Sequence, residues 1–136
     1  MKIDPFFFKD FLGNMKGTYI LILHLKKPHE EKIKNKIIDF PEGCYLYVGS
    51  ALGTGGLNTR ISRAFKKKKF VHWHIDRLTI LETVNVVGVI TFFEQKIECL
   101  LGEKFSCDDN YKPIVNFGNS DCKRKCKSHL FYIREK

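Results

Sequence analysis

CYLYVGSA, residues 44–51, is the stretch that decides the fold of this chain. Its alternation predicts a strand with Tyr45 and Tyr47 on one face. Residues 17–25, GTYILILHL, predict a second strand that is apolar on both faces and therefore central in a sheet. If the two strands pair antiparallel, Tyr19 and Tyr47 become neighbours, because the start of one strand lies beside the end of the other. Two half-buried tyrosines selected for strand propensity would produce the same pattern.

The composition is that of one soluble globular domain with a basic surface. The chain has 136 residues, of which 43% are hydrophobic and 29% charged, so it is long enough to bury a core. Its net charge of +9 favours a polyanionic partner, and nucleic acid is the common one. A lysine-rich surface that only keeps the protein soluble explains the charge equally well.

The apolar runs and the cysteines indicate the cellular compartment. No segment approaches the roughly 20 apolar residues of a membrane span. The first ten residues contain a short apolar run interrupted by charge, which is not the pattern of a signal peptide. We therefore expect a cytoplasmic protein without membrane contact. Its five cysteines are then thiols or metal ligands, not a disulfide framework.

Further elements surround the two strands. Apolar periodicity predicts three helices, over residues 57–69, 72–80 and 94–105. A third strand is predicted over residues 83–93, and the polar stretch 26–43 contains isoleucines that predict an extra edge strand. We expect a single domain over residues 1–136, made of a lead-in (1–16), a core (17–105) and a basic extension (106–136). A strand or docked segment over residues 129–132 would close it.

Several polar side chains have two interpretations each. Arg60 borders the apolar stripe of the first helix and can turn back over the sheet, whereas Arg63 lies further toward solvent. A run of four lysines follows Arg63: Lys66, Lys67, Lys68 and Lys69. These lysines either form a solvated helix end that complements the helix dipole or contact nucleic-acid phosphates. Glu98 borders the apolar face of the third helix and, taken alone, is a solvated glutamate.

Two histidines flank the single tryptophan in HWHID, residues 72–76. His72 and His74 are two positions apart, so they do not share a helix face and do not form a metal pair. We interpret Trp73 as a packing residue. One of the histidines contacts phosphate or the catalytic water, or both are hydrogen-bonded structural residues.

The basic extension contains a candidate zinc site. The spacing C-x3-C-x2-H with one more thiol suggests four ligands, Cys107, Cys122, Cys126 and His129. Two close cysteine pairs, as in most structural zinc sites, are not present. Free thiols in a basic tail are the alternative.

The order of these motifs resembles the GIY-YIG nuclease superfamily, and within it the small stand-alone branch called Uri endonuclease-like. GTY (17–19) opens one strand, YVG (47–49) closes its partner, and Arg60 and Glu98 follow on two helices. We expect four further motifs in that branch, and all are present: YLYVGSALG (45–53), GGL (55–57), HWHID (72–76) and the ending SDC…SHLFY (120–132). Thr18 and Val48 replace the isoleucines of the motif names.

The resemblance implies an α+β fold, with a small, mainly antiparallel three-stranded sheet flanked by helices and a basic Cys/His-bearing extension. It also implies a metal-dependent endonuclease that hydrolyses phosphodiester bonds, with DNA as the expected substrate. Tyr19 or Tyr47 would be the general base, and Arg60 would neutralise the phosphate. Glu98 would bind one Mg²⁺ or Mn²⁺, and Gly49 would let the backbone approach the substrate.

A phenol with a pKa near 10 is a poor base at neutral pH, so the metal ion or Arg60 must lower the pKa of the catalytic tyrosine. The basic side chains would hold the nucleic-acid backbone without reading bases. Since no recognition helix is evident, the nuclease would act on nucleic-acid structure or rely on a protein partner for targeting. Two alternatives remain: a non-catalytic nucleic-acid-binding module of the same fold, and a zinc-stabilised interaction protein.

Overall fold

The computed structural model describes residues 14–115, 117 and 128–135. In this part of the chain five antiparallel strands form the main sheet, β1 (Gly17–Leu25), β4 (Gly43–Ala51), β5 (Val84–Phe93), β6 (Tyr111–Pro113) and β7 (Leu130–Ile133). Their spatial order is β5-β1-β4-β7-β6. A separate hairpin is formed by β2 (His29–Ile33) and β3 (Lys36–Phe40). The helices of the described chain are α1 (Gly56–Phe65), α2 (Asp76–Thr79) and α3 (Glu98–Ser106).

The α+β class and the central strand pair are confirmed. The strand β1 lies between β4 and β5 and pairs antiparallel with both, as its two apolar faces predict. The sheet has five strands instead of three, because two segments of the predicted extension, β6 and β7, add to the free edge of β4. The predicted edge strand in residues 26–43 is instead the hairpin, which is a sheet of its own.

Alternation along β1 builds a core on each side of the sheet. Tyr19, Leu21, Leu23 and Leu25 point to one face and pack with Leu57 and Ile61 of α1. The opposite face buries a smaller cluster, which contains Ile20, Leu46, Val48 and Phe131 and is covered by side chains of α3. Helices therefore cover both faces of the sheet, α1 on one and α3 on the other.

The helices are shorter than their sequence patterns predict. The first ends at Phe65, because Lys66 is extended, so lysines 66–69 follow the helix instead of continuing it. The second is a single turn over Asp76–Thr79, and the third begins at Glu98, after Glu94 in a left-handed turn. None of the helices in the described residues has the length and apolar character needed to cross a membrane.

Candidate active site

Four side chains predicted to act together come from four elements and meet at one end of the sheet. Tyr19 of β1 and Tyr47 of β4 are buried, with ring centroids 6.4 Å apart. Arg60 of α1 donates a hydrogen bond to the Tyr19 hydroxyl, and its charge acts on both tyrosines. Glu98 begins α3 directly after Ile97, whose N–H donates to the hydroxyl of Thr18 beside Tyr19, so the start of this helix lies at the same end of the sheet. The structure thus brings all four predicted catalytic positions together.

Gly49 has a different role from the one its sequence position suggests. It lies directly opposite Tyr19 in the β1–β4 register. A Cβ at this position would overlap the Tyr19 ring. The glycine therefore makes room for the tyrosine ring, and the predicted approach of backbone to substrate is not needed to explain it.

The two tyrosines differ in their electrostatic surroundings. Burial raises the pKa of Tyr19, while the charge of Arg60 and its hydrogen bond oppose this rise. Burial raises the pKa of Tyr47 further, to well above its ordinary value, and the charges of Tyr19 and Glu98 add to the rise. Arg60 therefore opposes the rise in pKa at both tyrosines, more directly at Tyr19, but the pKa of each stays above its ordinary value.

Arg60 is held in place from its other side by an aromatic ring. Its guanidinium carbon lies 3.9 Å from the centroid of the Trp73 ring, a cation–π distance. The backbone N–H of Trp73 in turn donates to the buried carboxylate of Asp76, at 2.9 Å. The HWHID motif therefore forms a support for Arg60, in which Trp73 makes the contact and Asp76 fixes the loop.

Thr18 fixes the start of the helix that carries Glu98. It is fully buried, and its hydroxyl donates to the carbonyl of Gln95 at 2.8 Å and accepts from the N–H of Ile97 at 3.1 Å. These bonds tie β1 to the loop that ends at Glu98, the first residue of α3. The threonine at the middle of the GTY motif is thus a positioning residue for the carboxylate.

We expect Thr18→Val to reduce kcat for cleavage by about 10- to 100-fold, because a displacement of roughly 1 Å at a catalytic group has effects of this size. The substitution keeps the side-chain shape but removes both hydrogen bonds to the loop. KM should change little. Thr18→Ser, which retains the hydroxyl, should restore kcat. Equal kcat for the Val and Ser variants would show that the two hydrogen bonds do not position Glu98.

Glu98 has a second polar neighbour that no sequence pattern indicated. The Nδ1 atom of His129 lies 3.8 Å from Oε1 of Glu98, and Cys99 completes a group of three potential ligands. His129 was predicted to share a zinc site with cysteines of the extension. Cys107 lies at the far end of α3, roughly 13 Å along the helix from Glu98, and therefore does not share a site with His129. Cys122 and Cys126 lie outside the described residues.

Comparison with known proteins adds a family to this geometry. A family model described as the domain of unknown function DUF123 matches residues 18–136, which is most of the chain. The chain belongs to the DUF123 family. No curated protein and no solved structure matches it. The matched DUF123 region includes all four side chains that meet at the end of the sheet.

In this DUF123 chain Asp76 organises the segment after α1. Its carboxylate accepts hydrogen bonds from the backbone N–H groups of His72 and Trp73 and from the guanidinium of Arg63. The shortest donor–acceptor distance is 2.9 Å in each case. Arg63 also donates to the carbonyl of Phe70. The guanidinium of Arg63 is thus paired within the protein, and its predicted contact with nucleic acid stays a prediction.

We expect Asp76→Asn to lower the free energy of unfolding of this DUF123 protein by about 3 kcal/mol, since it breaks a buried ion pair. Burial raises the pKa of Asp76, but the hydrogen bonds from Arg63 and the two N–H groups lower it more. A carboxyl group whose pKa is lowered in the folded state stabilises the folded protein fully at pH values above about 4, its pKa in the unfolded chain. This stabilisation is lost as the pH falls below that value and through the lowered pKa of the folded state.

Denaturant unfolding at pH 7 and pH 3 measures both effects. Asp39→Asn is the matched control, because Asp39 is exposed on the hairpin. The destabilisation by Asp76→Asn should be large at pH 7 and smaller at pH 3. A difference from the wild type of less than about 0.5 kcal/mol at pH 7, the size of an ordinary surface substitution, would contradict this role of Asp76.

The lysine run of the DUF123 chain divides into two pairs. The Lys67 ammonium donates to the carbonyls of Thr79, Leu81 and Val84, and the Lys69 ammonium donates to Thr79 Oγ1 at 2.6 Å. Burial lowers the pKa of both, to about 8 for Lys69 even though Asp76 opposes the shift. The predicted phosphate contact is wrong for this inward pair, whereas Lys66 and Lys68 are exposed.

The two histidines of HWHID lie in different surroundings in this DUF123 protein. His72 is exposed, and its ring centroid lies 4.6 Å from that of Trp73. His74 is half-buried, with its ring 5.6 Å from that of Phe117. A contact with phosphate stays a prediction for His72, whose position leaves the ring open to solvent.

Proposed function

We propose that the protein is a metal-dependent endonuclease of the GIY-YIG type that hydrolyses phosphodiester bonds in DNA. The observation that carries this proposal is the convergence of Tyr19, Tyr47, Arg60 and Glu98 at one end of the sheet. Isolated strand tyrosines have no reason to share an arginine and a carboxylate. The order of the sequence motifs and the α+β fold support the same conclusion.

The residues present fit a divalent cation. Glu98 supplies a carboxylate that is one-quarter exposed, and carboxylate oxygen is the ligand that Mg²⁺ and Mn²⁺ take. A bound Mg²⁺ or Mn²⁺ would supply positive charge at the phosphate and make a water molecule more acidic. Glu98 would hold the ion, with Thr18 fixing the helix start that carries it.

The chain itself supplies the base and a fixed positive charge. Tyr19 would accept the proton of the attacking water as the phenolate, and Arg60 favours that form by opposing the rise in pKa that burial causes. Because the pKa of Tyr19 is still raised, the bound metal ion would have to lower it further. The guanidinium of Arg60 also faces the developing charge of the phosphate, and its stacking on Trp73 removes the need to order it during the reaction. Tyr47, which is buried beside Tyr19, packs the base in place.

Lys66 and Lys68 are the exposed members of the lysine run and would contact the backbone of the substrate. We expect the double variant Lys66→Gln, Lys68→Gln to weaken DNA binding. It should also reduce the slope of log K against log salt by about 1 to 2, since each phosphate contact contributes roughly 0.9. Fluorescence anisotropy at several salt concentrations measures the slope.

Lys32 and Lys36 on the hairpin are exposed and provide a control with the same change in charge. Their double substitution by Gln should leave the slope nearly unchanged. An equal reduction by both double variants would show that only net charge matters. An unchanged slope in the Lys66/Lys68 variant would remove this segment from the DNA contact.

Covalently closed circular DNA tests the endonuclease assignment, because it has no ends for an exonuclease. The purified protein should nick it in the presence of Mg²⁺ or Mn²⁺, and EDTA should stop the reaction. Salt-sensitive binding without nicking would favour a non-catalytic binding module. A single domain over residues 1–136, a cytoplasmic location and a protein partner for targeting belong to this proposal as sequence-based expectations.

A further inference from the structure

Three side chains near the start of α3 form a compact group of mixed donors. Glu98 offers a carboxylate oxygen, Cys99 a sulfur and His129 an imidazole nitrogen, and all three ligand atoms lie within 4.8 Å of one another. The Nδ1 atom of His129 is 3.8 Å from Oε1 of Glu98. Ligands that share one ion are separated by about this distance when metal–ligand bonds are 2.0 to 2.3 Å long.

The imidazole of His129 is buried and poorly satisfied. The residue is 3% exposed, and its Nε2 atom has no hydrogen-bond partner among the described residues. A buried polar atom without a partner is unfavourable by roughly 1 to 3 kcal/mol, so hydrogen bonds within the described residues do not explain the burial of this imidazole. The nitrogen that lies beside Glu98 is the other one, Nδ1. This observation is independent of the spacing of the three side chains.

The backbone holds His129 rigidly toward α3. The N–H of Val48 donates to the carbonyl of His129 at 2.8 Å, and the N–H of His129 donates to the carbonyl of Phe117. The preceding residue, Ser128, is fully buried, and its single hydroxyl hydrogen lies between the carbonyl oxygens of Phe117 and Leu130. Thr18 fixes the other half of the group through the start of α3. The three donors are therefore presented by two independently anchored segments.

We propose that Glu98, Cys99 and His129 form a site for a borderline first-row transition ion of the Zn²⁺ and Co²⁺ class, in preference to Mg²⁺. Imidazole and thiolate ligands select such ions, whereas Mg²⁺ prefers an all-oxygen octahedron. Three protein ligands also leave a fourth position open, as in catalytic zinc sites. Cys99 binds as the thiolate, and its proton passes to solvent. The role of this ion in cleavage rests on the proposed function, but its binding does not.

Titration of the metal-free protein with Co²⁺ tests the site without any nucleic acid. Binding should produce visible absorption bands and a near-ultraviolet band from sulfur-to-cobalt charge transfer, and Zn²⁺ should displace the Co²⁺. Cys99→Ser should abolish the charge-transfer band. Glu98→Gln and His129→Asn should each weaken binding by more than the roughly 10- to 100-fold that accompanies loss of an outer hydrogen-bond partner.

Control variants separate this group from the other cysteines. Cys107→Ser removes an exposed thiol at the opposite end of the same helix and should leave the spectrum unchanged. A triple variant that also replaces Cys122 and Cys126 by Ser should retain Co²⁺ binding. Thermal melting of every variant without metal identifies any that fail to fold. If His129→Asn fails to fold, Cys99→Ser still tests the site.

Each outcome has a defined meaning. Loss of binding in the triple cysteine variant, with Cys99→Ser unaffected, would place zinc in the extension and overturn the proposed group. Cleavage with Mg²⁺ by a protein that does not bind Co²⁺ or Zn²⁺ would overturn the metal inference and leave the nuclease standing. Co²⁺ binding that is lost in Cys99→Ser, with no cleavage of any nucleic acid, would support the site and remove the nuclease.

Discussion

Glu98→Gln should abolish phosphodiester cleavage while the fold and DNA binding remain nearly intact. The amide keeps the shape of the side chain but removes the charge that holds a divalent ion. A bound ion contributes several kcal/mol at the transition state, so the rate should fall by at least about a thousandfold. Glu98 is the first residue of α3, where loss of a negative charge destabilises the helix by only about 0.3 to 1 kcal/mol.

Single-turnover cleavage and anisotropy binding, measured side by side, separate these effects for Glu98→Gln. Glu103→Gln is the control, because Glu103 is an exposed residue of the same helix and the change in charge is identical. Glu103→Gln should cleave at the wild-type rate. Full activity in Glu98→Gln would remove the carboxylate from the mechanism, and loss of binding in that variant would show that Glu98 acts before the chemical step.

Tyr19→Phe should reduce kcat by about 10²- to 10⁴-fold, the usual contribution of a general base, and Tyr47→Phe should reduce it less. The reason is the asymmetry in their surroundings. Arg60 donates a hydrogen bond to the Tyr19 hydroxyl, whereas Tyr47 receives only the charge of Arg60 and carries a pKa raised further by its neighbours. Ionisation to the phenolate is therefore less unfavourable at Tyr19 than at Tyr47.

The dependence of cleavage on pH provides a second measurement on the same variants. Because burial raises the pKa of Tyr19, the fraction of phenolate, and with it log kcat, should rise with pH until the pH reaches the pKa of Tyr19. Tyr19→Phe should flatten this rise. Tyr45→Phe is the control, since the Tyr45 hydroxyl donates to the carbonyl of Pro41, away from the site. A retained pH profile in Tyr19→Phe, with Tyr47→Phe inactive, would reverse the assignment.

The strand pair was predictable because it depends on local patterns, whereas Glu98 was singled out only by the resemblance to the GIY-YIG superfamily. Alternation in residues 17–25 and 44–51 determines which side chains share a face, and antiparallel pairing then brings Tyr19 beside Tyr47. Arg60 followed from helical periodicity, which placed it at the border of a buried stripe. Such features need no knowledge of distant contacts.

The direction of the lysines was not predictable, because it depends on where α1 ends. Periodicity continued the helix to residue 69, but the extended conformation of Lys66 ends it at Phe65. After that point alternation turns Lys67 toward carbonyl groups 12 to 17 residues further along the chain, and Lys69 toward the Thr79 hydroxyl, 10 residues further along. A run of four identical side chains contains no signal that separates inward from outward members.

The contacts of Thr18 and His129 were also missed, since each joins segments distant in sequence. The Thr18 hydroxyl bonds a loop 77 to 79 residues away, and neither segment indicates the other. His129 was assigned to a cysteine site by spacing alone, whereas β7 places it against Glu98. The short strands β6 and β7 lie in polar surroundings where alternation is weak, so their addition to the sheet was only partly anticipated.

The central claim is that the four convergent side chains form a hydrolytic centre. Its most direct test is cleavage of labelled DNAs and RNAs, each as single-stranded, duplex and branched forms, with Mg²⁺, Mn²⁺ or EDTA and with Glu98→Gln in parallel. The account predicts metal-dependent cutting of at least one DNA form that is absent with EDTA and in the variant. Salt-sensitive binding with no cutting of any substrate, or cutting that Glu98→Gln retains, would contradict it.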